Sequence, residues 1–310
     1  MKLTRMTVTV ATVAALLGTA ACGSSGGDPL ATKTSSSSSG GSGGGGVTVG
    51  SADFPESALL AEIYAGALEA KGVKVTKRLN IGAREAYIPA LQDGSIDLIP
   101  EYTGVLAQYF DKNAKATDAD GVYTELKAAV PGTLMVLDKS AAEDKDALVM
   151  KKSKADELGV KSIADLQGKS KDLVVGGPPE WKTRLTGLPG FKKIYGLEFK
   201  QFRPLDAGGP LTLQALKSGQ IDAGDLFTTD PSIAENGLVA LEDPKNMYAA
   251  QNVVPLITKS KSNPTIEGAL NAVSAKLDTA TLSALLKEVV SDKKDADVVA
   301  KEFLSKNNLG

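Results

Sequence analysis

Two aromatic residues, Tyr102 and Phe227, stand at equivalent places after two copies of one short pattern. The copies read ALQDGSID at residues 90–97 and ALKSGQID at residues 215–222, and the aromatic follows the last Asp by five residues. Each copy predicts a helix end, a Gly stop and a short apolar strand. Ligands of open α/β sheets bind beyond the carboxyl ends of strands, so both aromatics are candidate ligand contacts. The alternatives are core packing and a pattern that recurs only because helix–turn–strand units use similar residues.

A regular alternation of predicted strands and helices would place the two copies in separate lobes. This alternation favours an α/β fold with largely parallel sheets. We predict a first lobe over residues 47–150, a second lobe over 151–252, and a return segment with C-terminal helices over 253–310 that completes the first lobe. Two crossover segments are expected, near 148–150 and 253–256. The two aromatics would then face each other across a cleft.

Further candidate ligand contacts lie in predicted loops and at predicted helix starts. Trp181, the single Trp, lies in the proline-containing loop 177–184, where a core position is hard to arrange. Residues 53–56 stand where a strand enters a helix, so their side chains either contact ligand or cap the helix. The candidates within residues 53–56 are Asp53, Phe54 and Glu56. Thr103 and Thr228, which follow the two aromatics of the repeated pattern, are candidates as well.

The composition favours binding over catalysis. The 310 residues include no His and a single Cys, Cys22, which excludes Ser-His-Asp and Cys-His catalysis, zinc sites built on these residues and an intrachain disulfide. The 35 basic and 37 acidic residues give a formal charge of -2, which offers nothing to attract nucleic acid. No cofactor or metal is expected. Enzymatic carboxylate chemistry remains an alternative.

The N-terminus is typical of an exported protein on a tether. Residues 1–21 combine Lys2 and Arg5 with an apolar run and small residues before Cys22, as in a secretory signal. The small residues followed by Cys resemble a bacterial lipobox, although Thr19 departs from its usual Leu or Val. A lipidated Cys22 and an extracytoplasmic, membrane-anchored location are therefore expected, with an ordinary secretory signal as the alternative. Residues 22–46 are rich in Ser and Gly and predict a flexible tether.

From Val47 onward the chain resembles the substrate-binding lipoproteins of ATP-binding-cassette importers for quaternary-ammonium osmoprotectants such as glycine betaine, choline, carnitine and proline betaine. The resemblance rests on GSADFPES at 50–57, LIPEYTG at 98–104, LPG at 188–190, YGL at 195–197 and DLFTTD at 225–230. It implies a two-lobed, type II periplasmic-binding-protein architecture that closes over its ligand.

The resemblance also implies roles for individual residues. Tyr102, Phe227 and Trp181 match positions of an aromatic cage, which would hold a quaternary ammonium through cation–π attraction because that ion has no N–H to donate. Lys182 or Arg184 would meet a substrate carboxylate, with ordinary surface charge as the alternative.

Three positions depart from the family pattern. Asp146 stands where many members have Tyr, Val105 where Thr is frequent, and Leu188 where Tyr is common. The implied cage is thinner, so either a carboxylate helps to balance the cation or a wider site takes another ligand. Tyr87 is a candidate to compensate for the missing ring.

Three classes of function follow. The first is a monomeric solute-binding lipoprotein that delivers an osmoprotectant to a membrane permease and its ATPase. The second is a sensory or scaffolding lipoprotein of the same fold with an aromatic or uncharged ligand. The third is an enzyme, which the absence of His and of a nucleophile motif argues against.

Overall fold

The computed structural model describes residues 46–310; the predicted signal segment, Cys22 and the tether up to residue 45 lie outside the described residues. The strands in chain order are β1 (Val47–Gly50), β2 (Val75–Arg78), β3 (Leu98–Tyr102), β4 (Leu134–Val136), β5 (Asp146–Lys151), β6 (Val174–Gly177), β7 (Gln201–Pro204), β8 (Ala223–Phe227), β9 (Leu238–Ala240) and β10 (Val253–Thr258). The α-helices are α1 (Pro55–Glu69), α2 (Arg84–Gln92), α3 (Thr103–Phe110), α4 (Ala119–Ala129), α5 (Lys152–Leu158), α6 (Leu188–Gly190), α7 (Pro210–Ser218), α8 (Ser232–Glu235), α9 (Pro264–Ser274), α10 (Thr279–Val290) and α11 (Ala296–Lys306). None of these helices combines the length and apolar character that a bilayer span requires.

Helix α1 shows how local sequence sets the elements that carry the site. It begins at Pro55, whose fixed φ suits the first helical turn and places the preceding residue, Phe54, in an extended conformation. Leu59 and Ile63 recur at helical spacing and are fully buried. Helices α9, α10 and α11 from the C-terminal part of the chain pack against α1. The C-terminal helices therefore pack on the helix that follows β1.

Two five-stranded sheets form the centres of two lobes. The strand order is β2-β1-β3-β10-β4 in the first lobe and β7-β6-β8-β5-β9 in the second. In each sheet a single strand runs against the others, β10 in the first and β5 in the second. Each reversed strand is the one by which the chain enters that lobe from the other. The architecture is the predicted pair of α/β lobes with largely parallel sheets.

Strand β5 corrects the predicted boundary of the first lobe. Residues up to 150 were expected to close that lobe, yet β5 pairs with β8 (Ala147 opposite Leu226) and with β9 (Val149 opposite Ala240). The second lobe therefore begins at this strand. An apolar strand carries no local signal for the sheet it joins, because strand pairing is set by distant residues.

The two crossover segments lie side by side between the lobes. Glu143 and Asn252 form an antiparallel bridge, the N–H of Asp144 donates to the carbonyl of Gln251 (3.1 Å), and the N–H of Val253 donates to that of Ala142 (3.0 Å). The first crossover is therefore at 140–145 rather than at 148–150. The second leads directly into β10, which begins at Val253 as predicted. This paired segment is the covalent connection between the two lobes.

The repeated pattern has the same structural task in both lobes. Asp97 accepts the N–H of Thr48 at Oδ2 and returns its own N–H to the Thr48 carbonyl, both at 2.8 Å. Asp222 makes the same pair of bonds with Val174, again at 2.8 Å each. The final Asp of each copy thus ties the start of one parallel strand to its neighbour.

Candidate ligand-binding site

A cavity of about 330 Å³ lies between the two lobes and next to the crossovers. Its volume is at the lower end of the range for small-molecule sites. Residues at the ends of β3 and β8 line it, as the strand-end argument predicts. The sequence-predicted residues on its wall are Asp53, Phe54, Tyr87, Tyr102, Asp146, Arg184 and Phe227.

Three aromatic rings from both lobes meet in this cavity. The centroid of Phe54 lies 5.1 Å from that of Phe227 and 6.1 Å from that of Tyr102, with tilted ring planes. Phe54 and Phe227 are half-buried, and Tyr102 is buried with its hydroxyl donating to Glu56. Ring faces clustered in this way can hold a cation by cation–π attraction.

Arg84 supplies a positive group on the first-lobe wall. Its Nε and Nη2 both donate to the Glu101 carboxylate at 2.7 Å, and Glu101 also accepts the hydroxyl of Tyr87 (2.8 Å) and the N–H of Tyr102 (2.9 Å). Glu101 raises the pKa of Arg84 even though burial opposes this. Among residues 46–310 no partner binds the remaining Nη1 of Arg84, which is therefore available to a ligand carboxylate.

Two carboxylates face the cavity from the second lobe. Asp146 lies opposite Phe227 in the β5–β8 register, and Asp225 precedes Phe227 by two residues, so all three side chains share one face of the sheet. Burial raises the pKa of Asp146, partly offset by Arg184 and Arg84. Burial and the charge of Asp146 hold the pKa of Asp225 well above its usual range. When ionised, these two carboxylates would favour a cation at this end of the cavity.

Arg184 closes the mouth of the cavity by an ion pair between the lobes. Its Nε and Nη2 donate to the two carboxylate oxygens of Glu85 on α2 at 3.1 and 2.5 Å. Burial opposes the effect, but the hydrogen bond and charge of Arg184 lower the pKa of Glu85. Both partners are partly exposed, so this ion pair between the lobes lies at the rim of the cavity.

Glu56 lies behind the aromatic rings and not on the cavity wall. Its two oxygens accept the hydroxyls of Tyr102 from the first lobe and Thr229 from the second, both at 2.7 Å. Burial raises the pKa of Glu56, and burial together with Glu56 raises that of Asp144, which accepts the N–H of Thr229 at 3.0 Å. Glu56 is 2% exposed, joins the lobes through these two hydrogen bonds and is not on the cavity wall, contrary to its prediction as a ligand contact.

The position of Trp181 does not match the ligand contact that its loop suggested. Its side chain is 1% exposed, packs edge-to-face on Phe191 at 5.5 Å, and lies against Gly177 in the core of the second lobe. The short helical turn of its loop directs the ring inward. Lys182 is exposed and extends toward Phe202 (5.9 Å from Nζ to the ring centroid), away from the cavity.

The two threonines that follow the aromatics bind the crossover segments. Thr103 is fully buried, and its hydroxyl donates to Ala250 (3.2 Å) and accepts the N–H of Asn252 (3.0 Å). The hydroxyl of Thr228 accepts the N–H of Lys145 at 3.0 Å. Neither side chain lies on the cavity wall, because each is turned toward the crossover beside it.

Arg84 and Asp225 are cavity residues that the sequence analysis missed. Both could have been found from spacing. Arg84 and Tyr87 are three residues apart on α2, so they share a helix face. Asp225 and Phe227 are two residues apart on β8, so they share a sheet face.

Comparison with known proteins is consistent with this geometry. Residues 45–306 match the family model of the substrate-binding domain of the ABC-type glycine betaine transport system. A glycine-betaine-binding protein of Pseudomonas aeruginosa is 28% identical over 275 residues, covering 84% of this chain and 88% of that protein. The glycine betaine-binding protein YehZ of Escherichia coli is 29% identical over 275 residues, covering 83% of this chain and 89% of that protein.

Solved structures agree with these matches. The crystal structure of a glycine betaine/carnitine/choline ABC transporter protein superposes with a TM-score of 0.66 at 25% identity, covering 85% of this chain and 99% of that one. The fold is the type II periplasmic-binding-protein architecture expected from the sequence. The chain belongs to the family of substrate-binding domains of ABC-type glycine betaine transport systems.

Proposed function

We propose that this protein captures a quaternary-ammonium osmoprotectant in the cavity between its lobes and delivers it to an ABC permease served by an ATPase. The observation that carries the proposal is the juxtaposition of three aromatic rings with Arg84 in one cavity. The rings of Phe54, Tyr102 and Phe227 would hold the cation. Nη1 of Arg84 would bind the carboxylate, since Glu101 fixes the opposite side of the guanidinium.

Closure of the lobes would complete this site. The rings come from both lobes, so only the closed form presents them together and removes water from the cation. The paired crossovers at 140–145 and 251–253 would act as the hinge. Lipidation of Cys22 would keep a monomeric receptor at the outer surface of the membrane, close to its permease.

The test is a calorimetric titration of the purified protein with glycine betaine, choline, carnitine and proline betaine. We expect saturable binding of at least one zwitterion. Phe227→Leu should weaken that binding roughly two- to thirtyfold, because one cation–π contact is worth about 0.5–2 kcal/mol. Phe110→Leu is the matched control, since Phe110 lies outside the cavity wall. Absence of heat with all four solutes would overturn the proposal.

A further inference from the structure

The second-lobe wall of the cavity holds a carboxylate whose hydrogen-bonding needs the protein does not meet. Asp225 is 1% exposed, and neither of its oxygens has a hydrogen-bond partner within residues 46–310. Asp146 lies beside it on the same face of the sheet. A buried carboxylate without donors is costly unless a ligand supplies them.

Two other acidic residues of the wall already accept hydrogen bonds from the protein. Asp206 accepts the N–H groups of Leu211 and Thr212 at 2.8 Å and so caps α7. Asp144 accepts the N–H of Thr229. Among the acidic residues of the wall, Asp225 is the one whose two carboxylate oxygens are both buried and without a partner in residues 46–310.

The two arginines of the cavity do not supply the missing donors. Arg84 binds Glu101 and Arg184 binds Glu85, each through two nitrogens. The cavity therefore has a basic side and an acidic side. The two arginines lie toward α2 and the mouth, and the two aspartates lie on the face of the sheet formed by β5 and β8. A zwitterion would place its carboxylate toward Arg84 and its cation toward the aspartates.

A trimethylated cation can lie against this wall but cannot donate a hydrogen bond to it. It has no N–H, so its methyl groups would bury the oxygens of Asp225 without providing a donor. A cation with one or two N–H groups can donate to Asp225 or Asp146 and still present its remaining methyl groups to Phe54 and Phe227.

We propose that the Asp146–Asp225 wall selects a cation that carries at least one N–H group, so that partly methylated ammonium zwitterions bind more tightly than trimethylated ones. The inference rests on the proposed function, because it takes the cavity to hold a zwitterion of the betaine type. It assigns the substituted position Asp146 and the unpartnered Asp225 to substrate selection.

The experiment is a calorimetric titration with glycine, sarcosine, N,N-dimethylglycine and glycine betaine, which differ only in the number of N-methyl groups. We expect a partly methylated member to bind roughly tenfold to a hundredfold more tightly than glycine betaine, as for one hydrogen bond to a charged group. Asp225→Asn and Asp146→Asn should each bring this ratio toward one. Asp156→Asn, which removes an exposed acid on α5, is the matched control and should keep the ratio.

The outcomes separate this inference from the proposed function. If glycine betaine binds most tightly, the inference is overturned and the proposed function stands. If the ratio survives in both cavity variants, the aspartates do not select the cation and the inference is also overturned. If no member binds while choline, carnitine or proline betaine does, the inference fails and the proposed function stands. If none of those three binds either, both fail. Thermal melting checks that each variant is folded, and Asp146→Asn, at the more exposed of the two positions, provides the test if Asp225→Asn does not fold.

Discussion

Arg84 can face the cavity because Glu101 holds the other side of its guanidinium. Both side chains are buried, and the bidentate geometry leaves little rotational freedom. Removing one partner of such a pair leaves a buried charge without compensation, which is more costly than the pair itself is stabilising. The arginine is thus part of the fold as well as part of the site.

We therefore expect Glu101→Gln to lower the free energy of unfolding by about 3–5 kcal/mol. The amide keeps the shape of Glu101 but not its charge, so Arg84 would remain buried without an anion. Urea denaturation measures the change. Lys152 and Asp156 form an exposed i,i+4 pair, so Asp156→Asn should cost at most about 0.5 kcal/mol. Equal costs for the two variants would contradict the assigned role of Glu101.

Asp225, unlike Glu101, destabilises the folded protein when it is ionised. Its pKa in the folded protein lies above its usual value, so its stabilising contribution is complete below that usual value and is lost as the pH rises toward the raised pKa. Asp225→Asn should therefore raise the unfolding free energy of the ligand-free protein at pH 7 by about 1–3 kcal/mol.

The gain from Asp225→Asn should shrink at pH 5, where more of the wild-type carboxyl is protonated. Chemical denaturation of both proteins at the two pH values measures this. A variant less stable than the wild type at pH 7 would show that an unrecognised donor satisfies Asp225. Stabilisation together with weaker ligand binding would mark Asp225 as a residue kept for function.

At the scale of elements, the two lobes use one construction twice. In each, a helix ends at a glycine with positive φ, Gly94 (80°) or Gly219 (74°), and the following Asp links two parallel strands. A positive φ is strained for residues with a Cβ, which explains the Gly in both copies. The aromatic that lines the cavity, Tyr102 or Phe227, is then the last residue of the strand that follows the Asp.

We expect Asp97→Ala to destabilise the protein by about 1.5–3 kcal/mol, as for loss of a hydrogen bond from the backbone to a charged group. Asp222→Ala should destabilise it in the same direction but less, because Asp222 is half-buried whereas Asp97 is buried. Urea denaturation of the two variants gives the comparison. A reversed order, or no effect from Asp97→Ala, would mean that the link to Thr48 is not what stabilises the strand pair.

Elements and strand-end positions could be predicted from the sequence because their signals are local. Helical spacing located α1, and the repeat placed Tyr102 and Phe227 at the cavity. The errors concern relations between distant residues. The sheet that β5 joins, the inward direction of Trp181 and the capture of Glu56 by Thr229 all depend on packing between segments far apart in the chain. No pattern within a short stretch encodes such pairings.

At the scale of the whole molecule, separate polar contacts hold the two lobes in the closed arrangement. Glu85 binds Arg184 at the mouth, and Glu56 binds Thr229 behind the rings. On the outer side, the hydroxyl of Ser291, just after α10, donates to Glu235 on α8. Each contributes a small free energy compared with the folding of a lobe, so a single substitution at one of these contacts can shift the balance between closed and open forms.

Glu85→Gln should therefore shift the ligand-free protein toward an open form. A partly exposed ion pair is worth about 0.2–1 kcal/mol, so the closed-to-open ratio should fall by at most roughly fivefold. Arg184 lowers the pKa of Glu85. The stabilisation from this ion pair is therefore complete at pH values above the usual carboxyl pKa and is lost as the pH falls through the lowered pKa. Acidification should open the wild type in the same direction as the substitution.

Small-angle X-ray scattering without ligand measures this opening as a larger radius of gyration for Glu85→Gln at neutral pH. Ligand affinity should fall by the same factor as the closed population, because the rings of both lobes are together only in that form. Glu62→Gln is the matched control, since Glu62 pairs with Lys77 inside the first lobe. If both variants scatter like the wild type while Glu85→Gln binds ligand normally, the rim ion pair follows closure and does not help to set it.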